Sequence, residues 1–380
     1  MKENSKQNIL IVSGEHSGDL LGGSLLENFS KDEFNFFGIG GESMIAQGFH
    51  SIKDIESLNV MGFTGILSKY FELKKIAFEL VEKSIELNIK FAILIDYPGF
   101  NLFLAERLKE KGIKIIFYVS PQIWAWRFNR IHRIKKCVDL MLLLFPFEKK
   151  IYDEFGINSK FVGHPLADRM KEKLKTEENF PLNPNSKKIC IMPGSRKGEI
   201  RRLLKPILES LRLLKMNLAD KFDFDFFLPN INKQEESFIL NLIQEYSELK
   251  IQYFFDKTAR CIHNSDVVIV ASGTATLEVT YFEKPMVILY KMSLVTFLIG
   301  KSLVRTKNVG LVNILFGDEI CKELIQFDCT PIKIMNEVKH ILQDDAYRTN
   351  MISNLNTVKL SLGSDAGKKC SEAILEWIQT

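Results

Sequence analysis

Short, unbroken apolar runs recur along the chain, each closed by a glycine or proline turn and followed by a longer mixed segment. In the first half the runs are Ile9–Val12, Phe34–Phe37, Phe91–Ile95, Ile113–Val119 and Val138–Phe145. In the second half they fall at 189–192, 223–228, 251–255, 267–271 and 286–290. Runs without polar alternation predict strands buried on both faces, as in parallel sheets. The segments between them predict helices, at Leu20–Phe29, Ser68–Leu87, Leu102–Lys111, from Glu199 through Leu204, and at Asp365–Ile378. Phe71, Ile76, Leu80 and Ile85 in the second of these keep a helical spacing. Strand alternating with helix is the pattern of an α/β protein with a doubly wound parallel sheet in each half. The halves share that architecture but no close sequence repeat.

Between Ala167 and Lys188 the composition turns charged and then rich in Pro and Asn, which predicts the domain boundary. The expected division is residues 1–167, residues 188–360, and a closing helix in 361–380 that packs on the first domain. A length of 380 residues suits two such cores. The composition, 46% hydrophobic and 26% charged, describes a globular chain, and a net charge of +4 provides no overall field for nucleic acid. Six cysteines without a C-x-x-C pair predict buried thiols in a reducing cytoplasm. The opening MKENSKQN lacks the apolar core of a signal peptide. The longest apolar stretch, Pro285–Val304, is interrupted by Lys291 and Lys301, which argues against a simple membrane span.

Candidate chemistry lies in the turns. Pro193-Gly194-Ser195-Arg196-Lys197 joins a strand to a helix, a layout that aims free backbone N–H groups at an anion, although Ser195 as a plain N-cap explains it equally well. Ser272-Gly273-Thr274-Ala275-Thr276-Leu277-Glu278 repeats the layout, with hydroxyls on Ser272, Thr274 and Thr276. Ala275 leaves Glu278 without a capping-box partner, so its carboxylate is free to accept hydrogen bonds from a ribose diol. The first loop, Ser13-Gly14-Glu15-His16-Ser17-Gly18-Asp19, carries acids instead of a bare phosphate cradle, and Gly38-Ile39-Gly40-Gly41 alone is weak evidence for a nucleotide. Asp96 ends a central strand, at the lip of the sheet where open α/β folds place their sites. Trp124 and Trp126 precede Arg127, Arg130, His132, Arg133, Lys135 and Lys136; a solvated helix face is the default, an anionic lipid surface the next reading, and nucleic acid the last. No D-x-D motif stands at a strand end and no His/Cys ligand spacing occurs, so neither a metal nor a cofactor is expected. Neither half shows the G-x-G-x-x-G of a dinucleotide oxidoreductase.

Taken together and in order, SGEHSGDLLGG (13–23), GIGG with Met44, VMGF (60–63), IDYPGFN (95–101), YVSPQIWAW (118–126), FVGHPL (161–166), MPGSR (192–196) and ASGTATLE (271–278) resemble the lipid-A-disaccharide synthases. The resemblance runs from about residue 9 to the last helix. It departs from the family pattern at Gly65, Lys291 and Val312.

The resemblance implies a GT-B glycosyltransferase, with two Rossmann-like domains facing a cleft, the first binding the acceptor and the second the UDP-sugar. The implied reaction joins UDP-2,3-diacylglucosamine to 2,3-diacylglucosamine 1-phosphate, giving a β-1,6 disaccharide and UDP. Its implied place is the cytoplasmic face of a Gram-negative inner membrane, with the enzyme peripherally attached. An inverting transfer needs a base for the acceptor hydroxyl and positive charge for the leaving diphosphate. Asp96 is the expected base, Glu15 the alternative, and Asp19 the residue that orients either. Arg196, with Ser195 and Ser272 at their helix starts, is expected to hold the diphosphate. Ser17, Asn101, Thr274 and Thr276 are expected at the substrates, Glu278 at the uridine ribose, and Asn313 is carried over as a donor contact. Membrane contacts are expected in Val60–Phe71, Trp124–Lys136 and Leu294–Val304. The rival readings are another GT-B enzyme using UDP-N-acetylglucosamine, either a peptidoglycan glycosyltransferase or an epimerase.

Overall fold

The computed structural model describes residues 6–58, 66–293, 297 and 306–379. The chain forms two compact units, residues 1–165 with 363–380, and residues 166–362. Each is built on one parallel sheet.

In the first unit the strands are β1 (Gln7–Ser13), β2 (Phe34–Gly40), β3 (His50–Asp54), β4 (Phe91–Ile95), β5 (Lys114–Tyr118), β6 (Leu140–Leu143) and β7 (Ser159–Phe161). Their order is β3-β2-β1-β4-β5-β6-β7. The chain winds outward from β1 to β3, then returns past β1 and winds the other way, so the topological switch point lies between β1 and β4. Ile9–Val12 and Ala92–Ile95 are fully buried, because helices cover both faces of a parallel sheet. In β2, opposite Ile11 of β1, Gly38 adopts φ +144°, and a Cβ there would meet the Ile11 carbonyl oxygen at 2.0 Å. Only glycine fits.

The second unit has β8 (Ser186–Met192), β9 (Asp223–Asn230), β10 (Gln252–Phe255), β11 (Val267–Ala271), β12 (Met286–Tyr290) and β13 (Glu323–Ile325). Their order, β10-β9-β8-β11-β12-β13, places the switch point between β8 and β11. The apolar runs account for every central strand. β3, β7 and β13 were not anticipated, and each pairs on one side only. An edge strand with one neighbour is half solvated, so HSIKD and SKF carry no continuous apolar signal.

The helices that follow the site loops begin earlier than expected. α1 (His16–Leu26) starts directly after Glu15, α2 (Pro98–Glu110) has Pro98 in its first turn, and α4 (Lys197–Leu218) starts after Arg196. Glycine and proline read as breakers in sequence, yet both are compatible with a first helical turn, where the N–H has no intrahelical partner. The charged stretch read as a boundary is not a linker at its start. Leu166–Thr176 is a helix, α3, whose Leu166 and Met170 are buried, and it belongs to the second unit. The last helix (Ala366–Gln379) packs on α1 in the first unit, with Cys370, Ala373 and Ile374 buried and Trp377 edge-on to Phe91. All six cysteines are free and buried. Among the described residues no helix is long and apolar enough to cross a membrane.

Candidate functional site

Register brings the loops of the first unit together. Ser13 pairs with Ile95, and Ile95 with Tyr118, so Gly14, Asp96 and Val119 leave the sheet side by side. The Asp96 N–H donates to the Tyr118 carbonyl at 2.8 Å. Asp96, Tyr97 and Val119 all have left-handed backbones, with φ of +48°, +47° and +75°. For a tyrosine and a β-branched valine such geometry costs about 1–3 kcal/mol each and needs support from the surroundings. Asn101 supplies part of it: buried, it donates through Nδ2 to the carbonyls of Ile95 (3.1 Å) and Asp96 (2.7 Å). Asn101 was expected at the substrate; its Nδ2 is spent on the Asp96 turn, while its buried Oδ1 has no hydrogen-bond partner among the described residues.

The Tyr97 ring lies over Gly14, where a Cβ would come within 2.4 Å of it, and its hydroxyl donates to the Leu58 carbonyl at 3.3 Å. Partial burial raises the Asp96 carboxyl above its ordinary value, against the Tyr97 backbone N–H, which favours the ion; the Glu15 charge raises it further. Glu15, His16 and Ser17 are exposed. The switch point therefore presents a half-buried, proton-attracting carboxyl beside an exposed one.

Asp19 does not join them. It is 1% exposed, and its oxygens accept from the N–H groups of Gly41 (2.7 Å), Ser43 (3.0 Å) and Met44 (3.2 Å). It caps the short helix Glu42–Ile45 and closes the GIGG turn onto α1, a scaffold role in place of the orienting role expected. One lip residue was missed altogether. Glu148, 1% exposed, accepts from Trp124 Nε1 (3.1 Å) and the Phe145 N–H (3.2 Å), while Ser120 and Tyr152 share a hydrogen bond of 2.8 Å nearby. Burial pushes its carboxyl up to about 7 against those hydrogen bonds. In sequence it is one acid before two lysines, and its partner Trp124 lies 24 positions away.

In the second unit Val270 pairs with Met192, so the Pro193 and Ser272 turns flank the switch point from neighbouring strands. Gly194 and Gly273 have φ of +111° and +149°. Ser195 and Arg196 are exposed, and the Arg196 side chain keeps 86% of its surface. The N-cap is Arg196 rather than Ser195; its N–H donates to Glu199 Oε2 at 3.3 Å, and its guanidinium reaches Glu199 Oε1 at the same distance. This turn can present an arginine and the opening N–H groups of a 22-residue helix to an anion. Asn232 donates to the Ser195 carbonyl at 2.8 Å and holds the turn from the loop after β9.

The Ser272 turn is tied more firmly than expected. Ser272 Oγ donates to the Val309 carbonyl, and buried Thr276 to the Gly273 carbonyl, both at 2.8 Å. Thr274 alone of the three hydroxyl residues is exposed. Glu278 has a partner that local spacing could not reveal: Arg169 of α3 donates to Oε1 at 2.7 Å. Burial raises the Glu278 carboxyl, and Arg169 and Lys173 oppose that. Among the described residues no hydrogen bond reaches its Oε2. Asn313 is fully buried and saturated, donating to Cys321 O and Glu323 Oε1 at 2.8 Å and accepting from the Ile320 and Cys321 N–H groups at 3.0 Å. Expected as a donor contact, its side chain has no hydrogen-bonding capacity left for one. Through Glu323, which also accepts from the Val309 and Gly310 N–H groups, it ties the 309–310 turn to the 320–323 segment. Gly65 and the stretches 59–65, 294–296 and 298–305, which hold half of one expected membrane contact and nearly all of another, lie outside the described residues. Tyr70, Phe71 and Trp126 are exposed.

Comparison with known proteins agrees with this architecture. A family model described as lipid-A-disaccharide synthetase matches residues 9–376. The lipid-A-disaccharide synthase of Geobacter sulfurreducens is 36% identical over 379 residues, covering 98% of this chain and 97% of that one. Among solved structures, the UDP-GlcNAc 2-epimerase of Neisseria meningitidis bound to UDP-GlcNAc superposes with a TM-score of 0.64 at 13% identity, covering 97% of this chain and all of that one. A glycosyltransferase from Rickettsia africae does so at 0.57 and 13%, covering 99% of each chain. The structural likenesses show the fold, the GT-B class of two Rossmann-like domains, and no more. The match along nearly the whole sequence shows the family: the chain belongs to the lipid-A-disaccharide synthases, glycosyltransferases of lipid A biosynthesis.

Proposed function

We propose that the enzyme transfers 2,3-diacylglucosamine from UDP-2,3-diacylglucosamine to the 6-hydroxyl of 2,3-diacylglucosamine 1-phosphate in one inverting displacement, with Asp96 as general base. The observation that supports it best is the Asp96 turn: a half-buried carboxyl, its proton affinity raised, held in strained backbone at a switch point. As the acceptor oxygen bonds to the anomeric carbon, its proton passes to Asp96. The bond from that carbon to the diphosphate breaks, and its electron pair leaves with UDP. Arg196 and the first N–H groups of α4 stabilise the developing charge, and Glu278 Oε2 accepts from the ribose while Arg169 holds Oε1. Glu15 raises the proton affinity of Asp96 and is the alternative base. Ser17, Ser195 and Thr274 are exposed at these turns and complete the substrate contacts. Asn101, Ser272, Thr276 and Asn313 act by shaping the turns.

UDP release from UDP-2,3-diacylglucosamine, with and without the lipid acceptor, tests the reaction. Asp96→Asn is expected to cut turnover by at least about a hundredfold with UDP affinity intact. Turnover like wild type would remove Asp96 from the role, and the same loss in Glu15→Gln alone would move the role to Glu15. Arg196→Ala is expected to weaken UDP by about tenfold or more, as loss of a charge-assisted contact does. Acyl chains on both substrates call for contact with the inner-membrane surface, and exposed Tyr70, Phe71 and Trp126 are the described side chains suited to it. Failure to sediment with anionic vesicles would reject peripheral attachment.

A further inference from the structure

The basic run after Trp126 is unevenly partnered. Arg133 grips Glu106 with two hydrogen bonds, from Nε at 2.5 Å and from Nη2 at 2.8 Å. Arg127 and Arg130 have no counterpart: among the described residues no carboxylate lies within ion-pairing distance of either. Both guanidiniums instead sit over the Trp126 ring, 4.5 Å and 5.6 Å from its centre. Arg127 holds a left-handed backbone, φ +54°. Burial, and then the like charges of Arg127 and Arg133, make the charged form of Arg130 less favourable, yet an arginine does not release its proton in a protein. Two guanidiniums held on one indole without a counter-charge form a site for an anion that accepts paired hydrogen bonds, and a phosphate monoester is the natural match.

The loop that carries them is anchored. It leaves β5, the strand beside Asp96, with Ile123 1% exposed and the Trp124 indole bonded to buried Glu148. Trp126 itself stays 42% exposed. The pair is thus displayed on the same lip of the same sheet as the base.

We propose that Arg127 and Arg130 bind the phosphate of the acceptor sugar, so that they select a sugar 1-phosphate over its dephosphorylated form. The assignment rests on the reaction proposed above. The test compares kcat/KM for 2,3-diacylglucosamine 1-phosphate and for 2,3-diacylglucosamine, in mixed detergent micelles, with the intact enzyme and its variants. Wild type is expected to favour the phosphorylated acceptor by at least about tenfold. In the Arg127→Ala/Arg130→Ala variant that preference should fall to within about twofold of unity, with the KM for the UDP-sugar unchanged. Arg127→Ala alone, at an exposed position, should reduce the preference part of the way, and Lys at both positions should restore some of it by charge without the fork. Turnover with an undiminished preference in the double variant overturns the assignment alone. Absence of turnover by wild type with either acceptor overturns the reaction reading, and the assignment with it. A second arm separates the acceptor's phosphate from those of a bilayer. If the double variant loses binding to phosphatidylglycerol vesicles while keeping its acceptor preference, the guanidiniums serve the membrane and the assignment is overturned.

Discussion

Glu148 and Asp96 are both carboxyls lifted by burial, and they differ in what burial leaves them free to do. Asp96 keeps an open side and can meet a hydroxyl; Glu148 is enclosed, with Trp124 and Phe145 donating to its two oxygens. Its effect belongs to stability and to the Trp124 loop. With its folded value near 7 against an ordinary 4.5, the folded chain binds more proton than the unfolded chain between those limits. Stability therefore falls as pH rises through that window and levels off above it, by at most about 3 kcal/mol for this group. Glu148→Gln keeps an acceptor and removes the titration, so its denaturant midpoint should lack the part of the decline that wild type shows between about pH 4.5 and about pH 7. Parallel declines in both proteins would show that Glu148 titrates normally. Asp19 gives the opposite kind of case. Replacing it with Ala strands three backbone donors, at Gly41, Ser43 and Met44. The expected cost is about 2–4 kcal/mol by denaturant unfolding, with Asn recovering part of it. A loss below about 0.5 kcal/mol would show that water replaces the carboxylate.

At the scale of elements, both sites follow from one device, a strand leaving a parallel sheet at its switch point and turning directly into a helix. The turns are tighter than their glycines suggest. Gly194 at φ +111° has Glu199 so close that an added Cβ would meet its carboxyl oxygen at 2.5 Å. Gly194→Ala should therefore push Glu199 off the Arg196 N–H and weaken UDP by about tenfold or more, measured by calorimetry, whereas wild-type affinity would mean that the turn has no part in binding. Gly14 stands in the same relation to the Tyr97 ring. These consequences were out of sight in sequence because local spacing does not report which side chain a turn will lie against. For the same reason Glu278 read as unpartnered: Arg169 stands 109 positions away, in a stretch that read as a linker.

At the scale of the whole molecule, the chain leaves its first unit at Pro165 and re-enters it at Gly363. The returning helix lies on α1, close enough that a Cβ on Gly367 would strike Ser24 Oγ at 2.3 Å. Truncation after Leu362 should uncover α1 and speed amide hydrogen exchange through β1 and α1, while exchange in β8 and β11 stays as it was. Equal protection of the first unit in both forms would make the helix dispensable. By itself the sequence determined the α/β class, the central strands, the positions of the four site turns and, through motif resemblance, the family. It could do so because buried parallel strands need continuous apolar runs, and because turns at a sheet lip need glycine, proline and polar residues in a local order. Only the tertiary structure decided which polar residues are free to act. Asp19, the Asn101 amide nitrogen and the Asn313 side chain turned out to be occupied by backbone groups 5 to 25 positions away. Asp96, Arg196, Arg127 and Arg130 kept open sides. That division rests on burial and on partners distant in sequence, and both come into being only when the strands align.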